Sequence, residues 1–163
     1  MIKIQRAITL GILILLILSG CGSTSVRVDK ELVCMIESKL ESATYVSEVM
    51  IEYSEEENLM VHGKFHEKYD GLDKTDTNNT ILQRFMDNQS SLEGIQGVKL
   101  NLNVTDTSFD YQEEWDYRDV DPQEILDLDN RQENFVEEDR YVIGKVSDYY
   151  TLQGYTCETN DIE

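Results

Sequence analysis

Along most of the chain apolar and polar residues alternate one for one, the period of strands that bury a single face, and the breaks in that alternation mark the other elements. Leu32, Cys34 and Ile36 alternate with Val33 and Met35, so this run is apolar on both parities and reads as a short interior strand. Over 45–53, Tyr45, Val49, Ile51 and Tyr53 share a parity with Ser47, while Glu48 and Glu52 hold the other. That is a half-buried strand. Glu55-Glu56-Glu57-Asn58 is too charged to bury and predicts a turn. Beyond it Leu59, Val61, Gly63 and Phe65 alternate with Met60, His62, Lys64 and His66, so the two strands should pair as a hairpin.

The period then lengthens. A polar stretch over 70–79 offers Thr77 or Asn78 as a helix cap, after which Ile81, Leu82, Phe85, Met86 and Gln89 recur at the three-and-four spacing of one helical face, and Gly94 closes the helix. Val98, Leu100, Leu102 and Val104 return to strict alternation, and a turn at Thr105-Asp106-Thr107-Ser108 leads into Phe109, Tyr111, Trp115 and Tyr117. A second hairpin follows, with an aromatic stripe that Glu113 interrupts, so its face should be only partly covered. Asp121-Pro122-Gln123-Glu124 has the order of an N-cap, a first-turn proline and an acidic partner, and predicts a short helix to about residue 127. Val142, Val146 and Tyr149 or Tyr150 give a final helix, Gly154 its end, and Tyr155-Thr156-Cys157 a terminal strand. The sum is an α+β domain: an antiparallel β-sheet of about five strands with two main helices packed on one face.

The first twenty residues follow neither period. Lys3 and Arg6 precede an apolar run over 7–18, and Leu18-Ser19-Gly20-Cys21 reads as a lipobox. A membrane-spanning helix wants roughly 20 apolar residues, and this run is followed by Gly22-Ser23-Thr24-Ser25, a polar segment suited to a tether. Residues 1–20 are therefore expected to be a cleaved signal, 21–29 a flexible tether from a lipidated Cys21, and 30–160 the single folded domain. Two acyl chains would hold such a protein durably at the extracytoplasmic face of a cell membrane.

Charge narrows the partners. The chain carries a formal net charge of -19, which becomes -21 once Lys3 and Arg6 leave with the signal. Such a surface repels phosphate backbones, so nucleic acid is excluded as a partner and a cationic peptide or protein surface is favoured. Between Asp106 and Asp139 fourteen acidic residues face only Arg118 and Arg131, which predicts solvated surface whose later part is a mobile loop. With Cys21 assigned to lipid, Cys34 and Cys157 remain; an even pair in an exported chain points to a disulfide, and two free thiols are the alternative.

Motifs that carry chemistry are sparse. There is no G-x-S-x-G, glycine-rich phosphate loop, C-x-x-C or EF-hand spacing, and neither a cofactor nor a metal is implied. His62 and His66 sit four residues apart on a strand, about 13 Å, too far to share one zinc. Carboxylates are so dense that a pair at a catalytic separation arises by chance, which leaves a carboxylate-dependent hydrolase of the cell envelope as the alternative reading. Asp119, Asp121, Asp127 and Asp129 lack the glycine-bearing loop of a calcium site. The best candidate binding face is Tyr111, Glu113, Trp115 and Tyr117, where aromatic surface beside negative charge suits a cation; the competing reading puts these aromatics in the core.

Leu32-Val33-Cys34, Gly97-Val98-Lys99-Leu100 and Gly154-Tyr155-Thr156-Cys157, in that order behind a lipidated cysteine, resemble the layout of the YehR-like group of small bacterial lipoproteins over about residues 30–158. The resemblance implies an antiparallel sheet with helices on one side and supports a Cys34 to Cys157 bridge. It implies no activity. The chain is thus expected to be a non-enzymatic, membrane-anchored binding or envelope-accessory module.

Overall fold

The computed structural model describes residues 26–40, 43–72, 76–126, 128 and 130–162; the expected signal over 1–20, Cys21, Asp127 and Asp129 lie outside them. Eight strands and four short or medium helices are described. Strands β1 (Lys30–Leu40), β2 (Ala43–Ser54) and β3 (Leu59–Asp70) are followed by helix α1 (Asp76–Leu92), then β4 (Val98–Val104) and β5 (Ser108–Asp116). After them come α2 (Pro122–Ile125), α3 (Asn130–Glu133), the two-residue strands β6 (Val136–Glu137) and β7 (Arg140–Tyr141), α4 (Val146–Leu152) and β8 (Thr156–Asp161).

The fold is α+β. One antiparallel sheet of six strands runs in the order β4-β5-β3-β2-β1-β8, and β6 and β7 form a separate ribbon. Its sixth strand is the terminal one predicted at Tyr155-Thr156-Cys157, which pairs with β1 at the edge of the sheet. The apolar-on-both-parities run is interior, as its pattern requires, because β1 pairs with β2 on one side and β8 on the other.

One parity of each strand faces the helices. Cys34, Val49, Phe65, Glu113 and Leu100 form one inward row across β1, β2, β3, β5 and β4, and Ile36, Ser47, Glu67, Tyr111 and Leu102 form the next. A bulge interrupts β3. Tyr53 faces Met60 while Glu52 faces His62, so Val61 is the extra residue; Met60 and Val61 are both buried, although strict alternation puts Met60 on the polar parity, and the Val61 carbonyl accepts from the Tyr117 amide at 2.9 Å. Two residues on, Gly63 must lack a side chain: a Cβ there would lie 2.8 Å from the Tyr117 ring.

The inward side chains split into two clusters. The larger gathers Leu32, Ile51, Phe65, Trp115, Tyr117, Ile125, Phe135, Val146 and Tyr150 under α2, α3, the ribbon and α4. The smaller gathers Tyr69, Leu72, Phe85, Phe109 and Tyr111 under α1. The acidic segment over 117–145 is therefore packed structure where the charge density predicts a loop. Ile125, Gln132 and Phe135 anchor it in the core, Asp121 caps α2 by accepting from the Gln123 amide at 2.9 Å, and Glu138 and Asp139, both at positive φ, turn the ribbon. Helix α2 ends at Ile125, short of residue 127, and α1 begins at Asp76, ahead of the expected cap.

Candidate functional site

Three polar residues on the inward rows, Ser47, Glu67 and Glu113, run along the seam between the two clusters. Glu113 is the deepest, 1% exposed, and its oxygens are fully engaged: Oε1 accepts from Asn88 Nδ2 at 2.9 Å, and Oε2 from Trp115 Nε1 at 2.9 Å and Arg131 Nη2 at 2.5 Å. Three donors offset the cost of burying a carboxylate among rings. The Arg131 guanidinium lies 4.2 Å over the Phe65 ring while it holds Glu113. Asn88 also reaches the Tyr111 hydroxyl at 2.8 Å, so α1, β5 and α3 meet at this one carboxylate.

The aromatic stripe Tyr111, Trp115 and Tyr117 is buried together with Glu113. It is covered, not partly open. The cation that this aromatic and acidic surface would attract is present in the chain itself, as Arg131. The signal in the sequence is Arg131, one of only two basic residues in a stretch of fourteen acids; charge alone cannot say which acid it seeks.

Above the seam the helical layer leaves a groove. Between α1 and α4 a cavity of about 140 Å³ is floored by Ser47 and Glu67 and walled by Arg84 and by Tyr149, Tyr150 and Tyr155. A second hollow of about 380 Å³, between α1 and α3, shares Glu67, Arg84 and Arg131 with it and includes Asn88 and Glu113 in its lining. Glu67 accepts from the Tyr45 hydroxyl at 3.0 Å and from Arg84 Nη2 at 3.3 Å, and Tyr155 donates to Ser47 Oγ at 2.8 Å. Burial raises the pKa of the Tyr45, Tyr111 and Tyr150 hydroxyls far above the ordinary tyrosine value, so they remain donors throughout the physiological range. A hydrolase using Glu67 and Glu113 would first have to release both from their guanidinium partners.

Among the described residues no helix covers the opposite parity of the sheet. His62 and His66 lie here on β3, each with a carboxylate: His62 Nδ1 is 2.8 Å from Glu52 Oε2, and His66 Nε2 is 3.1 Å from Asp110 Oδ1. Arg118 donates to His62 Nε2 at 2.8 Å and to Asp116 at 2.6 Å, and that pairing lowers the pKa of Asp116. A hollow of about 440 Å³ opens beside them, lined by His62, Lys64, Lys99, Glu114 and Asp119. Further along the same face Val33, Met35 and Met50 are neighbours across β1 and β2, with Val46 diagonal to Met35 and with Lys64, His66 and Lys68 of β3 along one side. Among the described residues no group of three histidine, cysteine or acidic side chains is placed to hold a metal.

Cys34 and Cys157 are joined in a disulfide between paired positions of β1 and β8, with Cα atoms 4.0 Å apart. No helix among the described residues is long and apolar enough to cross a membrane.

These features define a small α+β domain with a single antiparallel sheet, a helical layer over one face and a disulfide tying its last strand to its first. The chain belongs to the family described as a domain of unknown function, DUF8824, whose model matches residues 22–163. Its fold is similar to that of the E. coli YehR protein solved by NMR, with a TM-score of 0.54 at 13% identity over 82% of this chain and 93% of that one. It is similar also to a protein from Streptococcus pneumoniae TIGR4 solved by NMR, with a TM-score of 0.51 at 14% identity over 84% of this chain and 88% of that one. At such identities the likeness is one of fold. No curated protein matches the sequence.

Proposed function

We propose that this chain is a non-enzymatic binding module, anchored by lipid on Cys21 to the extracytoplasmic face of a membrane, that receives a basic polypeptide on the uncovered face of its sheet. The lipobox and the short apolar run before it support the anchor. The Cys34 to Cys157 disulfide suits an oxidising compartment. The binding reading is carried by one observation. Met35, 48% exposed, sits with Val33 and Met50 on the uncovered parity, with Glu31, Glu37, Glu48, Glu52 and Glu158 at positions beside them on β1, β2 and β8 and with Lys64, His66 and Lys68 of β3 along the remaining side. An apolar patch with glutamates on its β1, β2 and β8 sides complements a segment that is apolar on one side and carries lysine or arginine toward those glutamates.

Two measurements test this. Intact mass of the protein extracted from membranes, before and after reduction, should show loss of residues 1–20, an acylated Cys21 and two thiols that appear only on reduction. Recovery of the full-length, unacylated chain from the cytosol would overturn the anchor. A synthetic amphipathic peptide of lysine and leucine should bind the protein with an affinity that falls as salt rises and falls further in Met35→Glu. Binding that ignores both salt and the Met35 substitution would remove the sheet face from consideration.

A further inference from the structure

We propose that the cavity between α1 and α4 is a binding site for an organic carboxylate, held by the Arg84 guanidinium and the Tyr150 hydroxyl. The site lies on the helical side of the sheet and does not depend on the reading given for the opposite face.

Tyr150 is the starting observation. Its side chain lines the cavity and is 3% exposed, its ring is held edge-on against Tyr149 at 5.1 Å and Tyr155 at 5.0 Å, and its hydroxyl has no hydrogen-bond partner in the protein. The neighbouring hydroxyls are committed, Tyr45 to Glu67 and Tyr155 to Ser47. A buried hydroxyl with nothing to bond is costly, and the cost is retained here in a wall that a phenylalanine would fill equally well.

The second observation is an imbalance of donors over acceptors. Glu67, the carboxylate on the floor, already accepts from Tyr45 and Arg84. Arg84, another wall of the cavity, bonds Glu67 and lies 4.8 Å over the Phe85 ring, and its side chain is 62% exposed, so N–H groups of its guanidinium stay accessible to an incoming ligand. The pocket therefore wants a ligand that only accepts. A planar carboxylate matches the guanidinium fork and leaves an oxygen for the phenol. A dianion such as phosphate would bring a second charge toward Glu67 and Glu113. A volume of about 140 Å³ suits a carboxylate with a few carbons, and the shared boundary at Glu67 and Arg84 lets a longer ligand continue into the hollow of about 380 Å³ beside α3. The same head group could belong to a free organic acid or to the C-terminus of a peptide.

The protein would be titrated with propionate, with N-acetyl-dialanine and with the C-terminal amide of that dipeptide, followed by calorimetry and by NMR of the Tyr150 ring. Saturable binding of propionate and of the free-acid dipeptide, but not of the amide, is the expected result, and the tighter of the two ligands distinguishes a small acid from a peptide end. Tyr150→Phe should weaken binding by about tenfold or more, the effect of losing one hydrogen bond to a charged group, while its melting temperature stays level or rises because an unmatched hydroxyl has gone. Arg84→Gln should weaken it as well, and neither variant should alter binding of the lysine and leucine peptide to the other face. Equal affinity of Tyr150→Phe and the parent, equal binding of acid and amide, or no saturable response to any carboxylate would overturn the proposal.

Discussion

At the scale of single residues the molecule turns on Glu113. A carboxylate at 1% exposure is tolerated because Asn88, Trp115 and Arg131 all donate to it, and the four come from three different elements. Removing one partner of a buried pair leaves an uncompensated charge, which costs about 3–5 kcal/mol. Arg131→Met should therefore lower the free energy of unfolding in urea by about that amount, a large share of the roughly 5–15 kcal/mol a domain possesses. It should also change the fluorescence of Trp115, the sole tryptophan, whose indole N–H bonds the same oxygen. The double variant Arg131→Met with Glu113→Leu should recover most of the loss, since the stranded charge is gone. A loss below about 1 kcal/mol in the single variant would mean that water reaches Glu113 after all. This residue was not legible in the sequence: one acid within an aromatic parity reads as a break to solvent, and only a partner some eighteen positions away makes it core.

Among the elements, legibility followed length. The long strands and α1 repeat their period several times, so their apolar faces declare themselves, whereas α2 and α3 are four residues each and β6 and β7 two, too short for any period to show. The stretch is held by isolated buried residues, Ile125 of α2, Gln132 of α3, Phe135 just before β6 and Tyr141 of β7, and in a stretch so acidic those few positions are swamped. Strand β8 poses the opposite case. It is a short, exposed edge strand whose hold on the sheet is the ladder to β1 and the Cys34 to Cys157 bond, a cross-link over a sequence separation of 123. For a loop of that length the chain-entropy model gives about 4–5 kcal/mol, an upper figure. Reduction should cost about 2–5 kcal/mol of stability, and hydrogen exchange should quicken first in β8 and the facing half of β1 while β3 and β5, paired on both sides or under the helices, keep their protection. Uniform loss of protection across the sheet would show that the bridge holds up the whole fold and not one edge.

For the whole molecule the question is whether two clusters divided by a polar seam behave as one unit. The seam is bridged by groups that belong to both sides, with Asn88 of α1 bonding both Tyr111 of the smaller cluster and Glu113 beside the larger. Buried tyrosines supply a probe on each side. Tyr69 and Tyr111 belong to the smaller cluster, Tyr117 and Tyr150 to the larger, and burial raises the pKa of all four. A group whose pKa is raised on folding adds stability that is complete below its unfolded value, near 10 for tyrosine, and that drains away as pH climbs past it. Each such hydroxyl removes about 1.4 kcal/mol per pH unit until its folded pKa is reached, so Tyr111, Tyr117 and Tyr150, the most strongly raised of the four, should together unfold a domain of ordinary stability within about one to four units. Tyrosinate absorbance and Trp115 fluorescence, recorded through an alkaline titration, should then change in a single shared step. If the seam instead uncouples the clusters, tyrosinate will begin to form while the Trp115 signal is still native, because Tyr69 and Tyr111 will have been released before the larger cluster opens.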